Sequence, residues 1–544
     1  MENFPIQTEL FSAESLIKGN LLLLFSLFSL YKYNSMKIII YLRRFTLTLA
    51  IVGLAYTTQA QQSVPEKYAN TITAQDLFKH VNVLASDSLE GRNTGEKGQK
   101  MAADYIKSQF MTDNLQGPVK EGEGNGYYQT FTLEKSGFGE VYLKINGERK
   151  THLKGNAFIG SADMEEEATT DAIFVGRGDS LNYVGLDVKD KAVIIYVPDR
   201  NDRKKKLEVA KAQGASKFFV ISATTGEEFS KFVEDYHHYF TDKRVGFPRE
   251  AQEENIYFLM SPAVIADAMK KPWKDIMGMM DKKGKGKKNP LASVKPLTLA
   301  YKVKMEREDV TTENVLGYIE GKSKKDELLV ITAHYDHIGK TDTEVYNGAN
   351  DDASGTAAVM EIAQAFAKAK ADGNGPERSI LCLTVTGEEK GLLGSLYYTD
   401  NPVFPLENTV VNLNIDMIGR IDKEHEENQD YVYVIGSGNL SKELKAVSET
   451  ANRTYTKLDL DYRFDGDDPN RYYYRSDHYN FAKNNIPIIF YFNGIHDDYH
   501  RVTDTIEKLA FDKMENITKL VFYTAWEVAN RNEKIKVDLK AGAE

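Results

Sequence analysis

After Val310 the chain repeats one pattern: a short apolar run, a polar loop, and a longer segment whose apolar residues recur with helical spacing. Short apolar runs of this kind predict buried strands, and strands that alternate with helices predict a parallel α/β sheet. The predicted strands are 327–333, 379–386, 409–415, 431–435 and 487–492, and the predicted helices are 354–369, 440–453 and 513–530. We therefore expect an α/β fold with a mixed, mainly parallel sheet flanked by helices.

Before this repeat the apolar residues are spaced differently along the chain, and this change predicts a domain division. Residues 74–110 have the spacing of two helices around a polar loop at 86–95, a segment too small to fold alone. Between about 140 and 310 short β-like runs such as 172–175 and 192–197 dominate. We therefore expect a main domain built from 61–140 and 311–535, a β-rich domain inserted at 141–310, and a tail at 536–544.

The first 60 residues have the features of a leader. The apolar run Leu21 to Leu30 is ten residues long, whereas a membrane-spanning helix needs about 20. A second start is visible at Met36, followed by basic residues, an apolar run at 45–56 and the small-residue site ending at Ala60. This pattern predicts a signal peptide at 36–60, a start-codon overcall at 1–35, and no stable membrane span after cleavage. An uncleaved anchor is the alternative.

Charge and cysteine content restrict the partners and the compartment. The chain has 80 acidic and 69 basic residues, a net charge of −11, and such a surface repels nucleic acid phosphates. Cys382 is the only cysteine and lies within an apolar run, so an internal disulfide is excluded. Together with the leader, this composition predicts an exported protein, periplasmic or secreted. The oligomeric state stays open.

Residues of metal-ligand type follow the predicted strands of the carboxyl half. In an open α/β sheet, functional groups gather beyond the carboxyl ends of the strands. The residues at these ends are His334, Asp351, Glu389, Asp416 and His500. Imidazole and carboxylate suit zinc, and this set can serve two ions if Asp351 bridges them. One ion would then also take His334 and Asp416, and the other Glu389 and His500.

Two further carboxylates have predicted roles beside these ligands. Asp336 lies two residues beyond His334, where it could accept the second imidazole N–H and fix the tautomer. Glu388 precedes Glu389 and could take a proton from water and pass it to a leaving amine. Taken singly, each of these residues has an ordinary explanation as a loop, a turn or a helix cap. Five ligand-type residues at the strand ends of one sheet are improbable as independent surface choices.

The same residues lie in stretches that resemble the co-catalytic zinc aminopeptidase family, typified by bacterial leucyl aminopeptidases. The stretches are HYDH (334–337), GANDDASG (348–355), TGEEKGLLGS (386–395), NIDMIG (414–419), SDHYNF (476–481) and DYHRVTDT (498–505). The segment ASDSLEGRNTG (85–95) is similar to the family's amino-terminal part. Residues 175–196 and 210–216 resemble a protease-associated (PA) domain more weakly.

The resemblance implies a phosphorylase/hydrolase-like fold, two zinc ions and peptide substrates with a free N-terminus. It places the metal ligands on His334, Asp351, Glu389, Asp416 and His500, and the proton-transfer glutamate on Glu388. It also places the imidazole-orienting aspartate on Asp336. Some relatives have a tyrosine before the last histidine; Tyr499 matches it and either polarises the scissile carbonyl or packs as an aromatic. His478 and His496 are rivals of His500 as ligands.

Three alternatives to an aminopeptidase remain. A carboxypeptidase of the same fold would need a cation for the substrate carboxylate, for which Arg420 and Arg475 are candidates. A glutaminyl-cyclase-like acyltransferase would use a single zinc. A transferrin-receptor-like binding protein would lack ligands, which argues against it here. Residues 471–475 either line a side-chain pocket or pack as plain aromatics.

Overall fold

The computed structural model describes residues 63–122, 124–248, 255–281 and 289–538. The predicted leader and the end of the predicted tail, from 539, lie outside these residues. Contacts divide the chain into Met1–Lys67 and Tyr68–Glu544, and the sheet, the core and the candidate site all belong to the second unit.

Within the described residues, fifteen strands form one sheet and two short hairpins stand beside it. The strands are β1 (Val119–Glu121), β2 (Gly124–Gly126), β3 (Tyr128–Ile145), β4 (Glu148–Thr151), β5 (Asn156–Phe158), β6 (Ala168–Gly176), β7 (Ala192–Tyr196), β8 (Lys217–Ile221), β9 (Arg244–Gly246), β10 (Ile256–Met260), β11 (Leu297–Ile319), β12 (Lys324–His334), β13 (Gly339–Lys340), β14 (Val345–Tyr346), β15 (Arg378–Val385), β16 (Thr409–Ile415), β17 (Tyr431–Ile435), β18 (Asp459–Asp461) and β19 (Ile488–Phe492). The main path runs β18-β17-β19-β16-β12-β15-β11-β6-β7-β8-β10-β5.

The mainly parallel α/β fold is confirmed. β12 pairs in parallel with β15 on one side and β16 on the other, and β16 pairs in parallel with β19. On either side of these parallel strands the pairing becomes antiparallel, with β17 beside β19 and β11 beside β15. β15, β16, β17 and β19 are buried along their whole length, as the continuous apolar runs predict for strands covered on both faces.

Two long strands join the carboxyl half to the region around 140–300. β3 and β11 pair antiparallel from Tyr128 opposite Val315 to Ile145 opposite Leu299. The predicted boundaries at 141 and 310 therefore fall inside continuous strands. Apolar clusters drawn mainly from residues 141–303 lie on the two faces of β6, β7, β8 and β10 and are distinct from the main core. An inserted PA-like domain stays a prediction.

The described residues form thirteen α-helices. They are α1 (Val64–Ala69), α2 (Ala74–Leu84), α3 (Lys97–Thr112), α4 (Arg200–Ala212), α5 (Gly226–Asp235), α6 (His237–Thr241), α7 (Pro262–Ala268), α8 (Trp273–Met280), α9 (Gly355–Ala371), α10 (Leu393–Asp400), α11 (Lys442–Ala451), α12 (His478–Ala482) and α13 (Phe511–Asn530). In the described part of the chain, none is long and apolar enough to cross a membrane. The predicted helices at 354–369 and 513–530 correspond to α9 and α13.

The helix α9 lies in the core of the protein, and most of its residues are buried. Its alanines favour helix and allow close approach to the sheet. Phe366 is fully buried and contacts Phe522 and Trp526 of α13, with ring centroids 4.8 and 5.7 Å away. These contacts fix the helix that begins just after the candidate ligand Asp351.

We expect Phe366→Ala to lower the free energy of unfolding by about 3–5 kcal/mol, because it removes a fully packed ring and leaves a cavity. Urea titration of the full chain measures this. Met111→Ala, at a position that is 54% exposed on α3, is the control and should change it by less than about 0.5 kcal/mol. Equal losses in the two variants would contradict the packing role of Phe366.

Candidate metal centre

The candidate ligands lie at the carboxyl ends of adjacent parallel strands. β12 ends at His334, Asp416 follows β16, and Glu389 lies four residues after β15. His500 lies in the loop after β19, and Asp351 lies in the turn before α9, where its own backbone is not helical. The structure therefore brings together the five residues that the sequence predicted.

The first group of donor atoms surrounds the imidazole of His334. Its Nε2 is 3.2 Å from Oδ1 of Asp351 and 3.6 Å from Oδ1 of Asp416. Ser476 donates a hydrogen bond of 2.7 Å to the other oxygen of Asp416, which leaves Oδ1 facing the imidazole. These three residues are close enough to hold one metal ion between them.

The second group is built around the other oxygen of Asp351. Nε2 of His500 is 3.1 Å from Oδ2 of Asp351 and 3.2 Å from Oε2 of Glu389. Atoms that ligate zinc tetrahedrally at about 2.0–2.1 Å lie about 3.3 Å from one another, so both groups fit zinc. Asp351 contributes one oxygen to each group, as a bridging carboxylate would.

The carboxylates of Asp352 and Asp504 fix the backbone around Asp351 and belong to neither group of donor atoms. Asp352 accepts hydrogen bonds from the amides of Gly355 (2.7 Å) and Met417 (3.1 Å), which ties the start of α9 to the loop after Asp416. Asp504 accepts the amides of Asn350 (3.0 Å) and Asp351 (3.2 Å). The backbone on both sides of the bridging residue is thus fixed.

Asp336 orients His334, but through a different atom from the one expected. Nδ1 of His334 donates to the main-chain oxygen of Asp336 at 3.1 Å, while the nearest carboxylate oxygen is 3.9 Å away. The carboxylate instead accepts the hydroxyl of Thr94 (2.6 Å) and the amide of Glu388 (3.2 Å). The hydrogen bond from Nδ1 to the main-chain oxygen fixes the tautomer of His334. Nε2 then carries no proton and can bind a cation.

Glu388 and Tyr499 lie beside the two groups. Oε2 of Glu388 is 3.9 Å from Nε2 of His334. Burial and the carboxylates of Glu389 and Asp416 raise the pKa of Glu388 well above its ordinary value, against the opposing effect of His334. The ring of Tyr499 stacks on His500 with centroids 3.8 Å apart. Burial raises the pKa of Tyr499 well above its ordinary value, so its hydroxyl stays protonated at neutral pH.

The pKa values of Asp351 and Glu389 are shifted in the opposite direction to the pKa of Glu388. Burial alone would raise the pKa of Asp351, but the imidazoles of His334 and His500 hold it well below its usual range. His337 and His500 likewise lower the pKa of Glu389 to about 2, against burial and the charge of Asp351. Asp351 and Glu389 are therefore ionised at neutral pH, as metal ligands must be.

Sequence analysis missed one residue of this centre, His337. Its Nδ1 is 2.9 Å from Oε1 of Glu389 and 3.8 Å from Oδ2 of Asp351. The second histidine of the HYDH stretch was available as a signal, but a residue that follows a strand by three positions can point in any direction.

The two histidines considered as alternatives to His500 lie outside both groups of donor atoms. His478 donates to the main-chain oxygen of Tyr473 (2.9 Å), and His496 accepts a hydrogen bond from Asn350 (3.0 Å).

A small cavity opens beside the first group. Its walls include the apolar side chains of Met417, Phe490, Phe492 and Ile495, together with Tyr472 and Arg475 of the segment 471–475. His334, Asp351, Glu388 and Asp416 line its other side. A bound molecule in this cavity would thus contact both an apolar wall and the candidate ligands.

Arg92 connects the loops that carry the ligands. It is fully buried, and its guanidinium donates to the main-chain oxygens of Tyr335 (2.8 Å), Asn347 (2.7 Å), Gly348 (2.9 Å) and Leu84. Burial lowers its pKa to about 10, so it remains charged at neutral pH. The adjacent Gly91 has φ +66°, and a Cβ there would lie 2.1 Å from the main-chain oxygen of Gly339.

Comparison with known proteins identifies the part of the chain that carries this centre. Residues 314–525 match peptidase family M28. A probable zinc metalloprotease of Pyrenophora tritici-repentis is 30% identical over 268 residues, which cover 40% of this chain and 52% of that protein. Aminopeptidase YwaD of Bacillus subtilis is 27% identical over 244 residues, covering 43% and 49%.

The chain spans about half the length of these curated relatives. Among solved structures, an aminopeptidase from Aneurinibacillus sp. strain AM-1 aligns with a TM-score of 0.51 at 19% identity, over 87% of this chain and 98% of that one. This chain and that aminopeptidase therefore have a similar fold. The matched family region contains all five predicted ligands, and Arg92 lies outside it.

We expect Arg92→Lys to weaken zinc binding by about 10- to 100-fold, because a lysine cannot make four directed hydrogen bonds to the ligand loops. Zinc titration against a competing chelator measures this loss. Arg453→Lys, at an exposed residue whose guanidinium bonds only the nearby Thr450 among the described residues, should bind zinc like the wild type. Unchanged affinity in Arg92→Lys would refute the positioning role.

Proposed function

We propose that this protein is a zinc-dependent exopeptidase, an aminopeptidase that removes the N-terminal residue of peptides. The observation that carries this proposal is that the five candidate ligands meet in two groups, each of which includes one oxygen of Asp351. Membership of 314–525 in the M28 family supports it. So does the name of the relative YwaD, an aminopeptidase.

The residues have distinct roles in the proposed reaction. Two zinc ions, when bound by His334, Asp416, Glu389, His500 and the shared Asp351, would polarise the scissile carbonyl and lower the pKa of water. Glu388 accepts a proton from the attacking water as the new C–O bond forms. It then donates that proton to the leaving amine as the C–N bond breaks. Its raised pKa suits a group that must be ionised in the first step and protonated in the next.

Tyr499 and Asp336 support the chemistry. The protonated hydroxyl of Tyr499 can donate to the oxygen that becomes negative when the carbonyl is attacked. Asp336 keeps Nε2 of His334 free through its main-chain oxygen and positions Glu388 by accepting its amide hydrogen. The apolar wall of the cavity beside His334 suits the side chain of the substrate's N-terminal residue.

The carboxypeptidase alternative depends on a free cation near the centre. Arg420 is occupied, with Asp498 at 2.8 Å and Asp504 at 3.7 Å. Arg475 lines the cavity and, within the described residues, forms no ion pair. It is therefore the residue to test if C-terminal activity is found.

The setting of the enzyme is also a proposal. We infer an exported protein, periplasmic or secreted, from the predicted leader and the single buried cysteine. Residues 141–310 would form an inserted PA-like domain whose two apolar clusters are separate from the main core. Its strand β9 reaches back to pair with β3, next to a cavity that Glu389 helps to line.

We expect Glu388→Gln to lower kcat by about 10²- to 10⁴-fold while two zinc ions stay bound, because the amide cannot carry the proton. Release of the N-terminal residue from peptide amides measures kcat, and metal analysis measures zinc. The matched control is Glu426→Gln, an exposed position, which should keep full activity. Full activity of the Glu388→Gln zinc form would exclude the assigned role.

Blocked substrates separate the candidate functions. An aminopeptidase cleaves peptides with a blocked C-terminus and leaves N-acetylated peptides intact, whereas a carboxypeptidase shows the opposite preference. Cyclisation of an N-terminal glutamine with one zinc per active chain would instead indicate the acyltransferase. A zinc-loaded wild type inert toward all of these peptides would refute the proposed function.

A further inference from the structure

We propose that His337 is a fourth side-chain ligand at the cation position formed by Asp351, Glu389 and His500. This position would then have four donor side chains, while the position of His334, Asp351 and Asp416 has three. The inference rests on the proposed dizinc centre and adds to it an unequal division of ligands between the two ions.

Distances place the His337 imidazole among the donors of this position. Its Nδ1 lies 2.9 Å from Oε1 of Glu389 and 3.8 Å from Oδ2 of Asp351, the two carboxylates that also face His500. The rings of His337 and His500 meet edge to face, with centroids 5.8 Å apart. Nδ1 of His337 therefore faces the same two carboxylates as Nε2 of His500, and His337, Asp351 and Glu389 are close enough to hold one metal ion.

The hydrogen bonding of this group is incomplete without a cation. His337 is fully buried, yet neither ring nitrogen is aligned for a hydrogen bond with any described residue. Oε1 of Glu389 and Oδ2 of Asp351 are likewise without a hydrogen bond in the described structure. Buried polar atoms normally have hydrogen-bond partners. Here one imidazole nitrogen and two carboxylate oxygens face one another without any, which is the arrangement expected of metal ligands around a cation position.

The surrounding backbone prevents the ring from turning away. The His337 amide donates to the main-chain oxygen of Arg92 at 3.1 Å. Gly348, with φ +55°, packs against the ring, and a Cβ at that position would lie 2.6 Å from ring atoms of His337. The loop before Asp351 is thus shaped around this imidazole, which argues against an incidental loop histidine.

Unequal ligation has a consequence for how the ions bind. Four side chains complete a tetrahedral zinc, whereas three leave a position open for water or substrate. The ion beside His337 should therefore bind more tightly and exchange more slowly. The ion beside His334 should be the one with the open position, and it faces the cavity lined by Glu388 and Asp416.

Zinc affinities of His337 variants test this inference. Metal-free full-length protein is reloaded with zinc against a competing chelator, which gives two dissociation constants. Mutating an outer-shell partner costs about 10- to 100-fold in affinity, so loss of a direct ligand in His337→Ala should weaken the tighter site by more than about 100-fold. His238→Ala, at an exposed position, is the control and should bind like the wild type.

The asparagine variant distinguishes a ligand from a hydrogen-bond donor. A neutral side-chain amide is a poor zinc ligand compared with an imidazole, but in His337→Asn the amide can still donate to Glu389. If His337 ligates the metal, His337→Asn should lose as much affinity as His337→Ala. Retention of wild-type affinity by His337→Asn would overturn the proposal.

A measurement on the wild type covers the case in which the variants do not fold. In the fully cobalt-loaded protein, each ligating imidazole contributes one exchangeable, paramagnetically shifted N–H proton signal. Three such signals, from His334, His337 and His500, would support the proposal, and two would overturn it. Failure of the wild type to bind any divalent ion would instead refute the dizinc centre itself.

Discussion

The carboxylate of Asp351 is the group on which the rest of the centre depends. It is almost fully buried and lies between two imidazoles, 3.2 Å from that of His334 and 3.1 Å from that of His500. A buried charge is tolerated only when it is paired. Because each oxygen faces a different imidazole, one side chain couples the two groups of donors, and a shift of this residue would disturb both.

The structure around Asp351 fixes its backbone with groups that need not touch a cation. Asp504 accepts its amide, Asp352 connects the next turn to the loop of Asp416, and Arg92 binds the main-chain oxygens of both ligand loops. These bonds are buried, where hydrogen bonds are strong and losing one partner is costly. The arrangement resembles other preorganised sites, in which supporting residues determine how precisely the ligands are held.

The two sides of the centre differ in chemistry. On one side, His334 and Asp416 face the small cavity, together with Glu388, whose pKa is raised. On the other, Glu389 faces two imidazoles, and its pKa is lowered to about 2. Adjacent glutamates thus acquire opposite tendencies from their surroundings, one suited to proton transfer and the other to permanent ionisation.

The sequence by itself determined the strands of the carboxyl half and which residues follow them, because a continuous apolar run fixes a buried strand and the sheet brings the ends of parallel strands together. His334, Asp351, Glu389, Asp416 and His500 could be predicted on that ground. Tertiary structure alone decided the direction of each side chain within its loop. In the folded chain His337 points toward Glu389, and Nδ1 of His334 donates a hydrogen bond to the main-chain oxygen of Asp336. The strands β3 and β11 continue across the expected domain boundaries. Loop paths and strand lengths depend on contacts between residues far apart in the chain, which local periodicity does not encode.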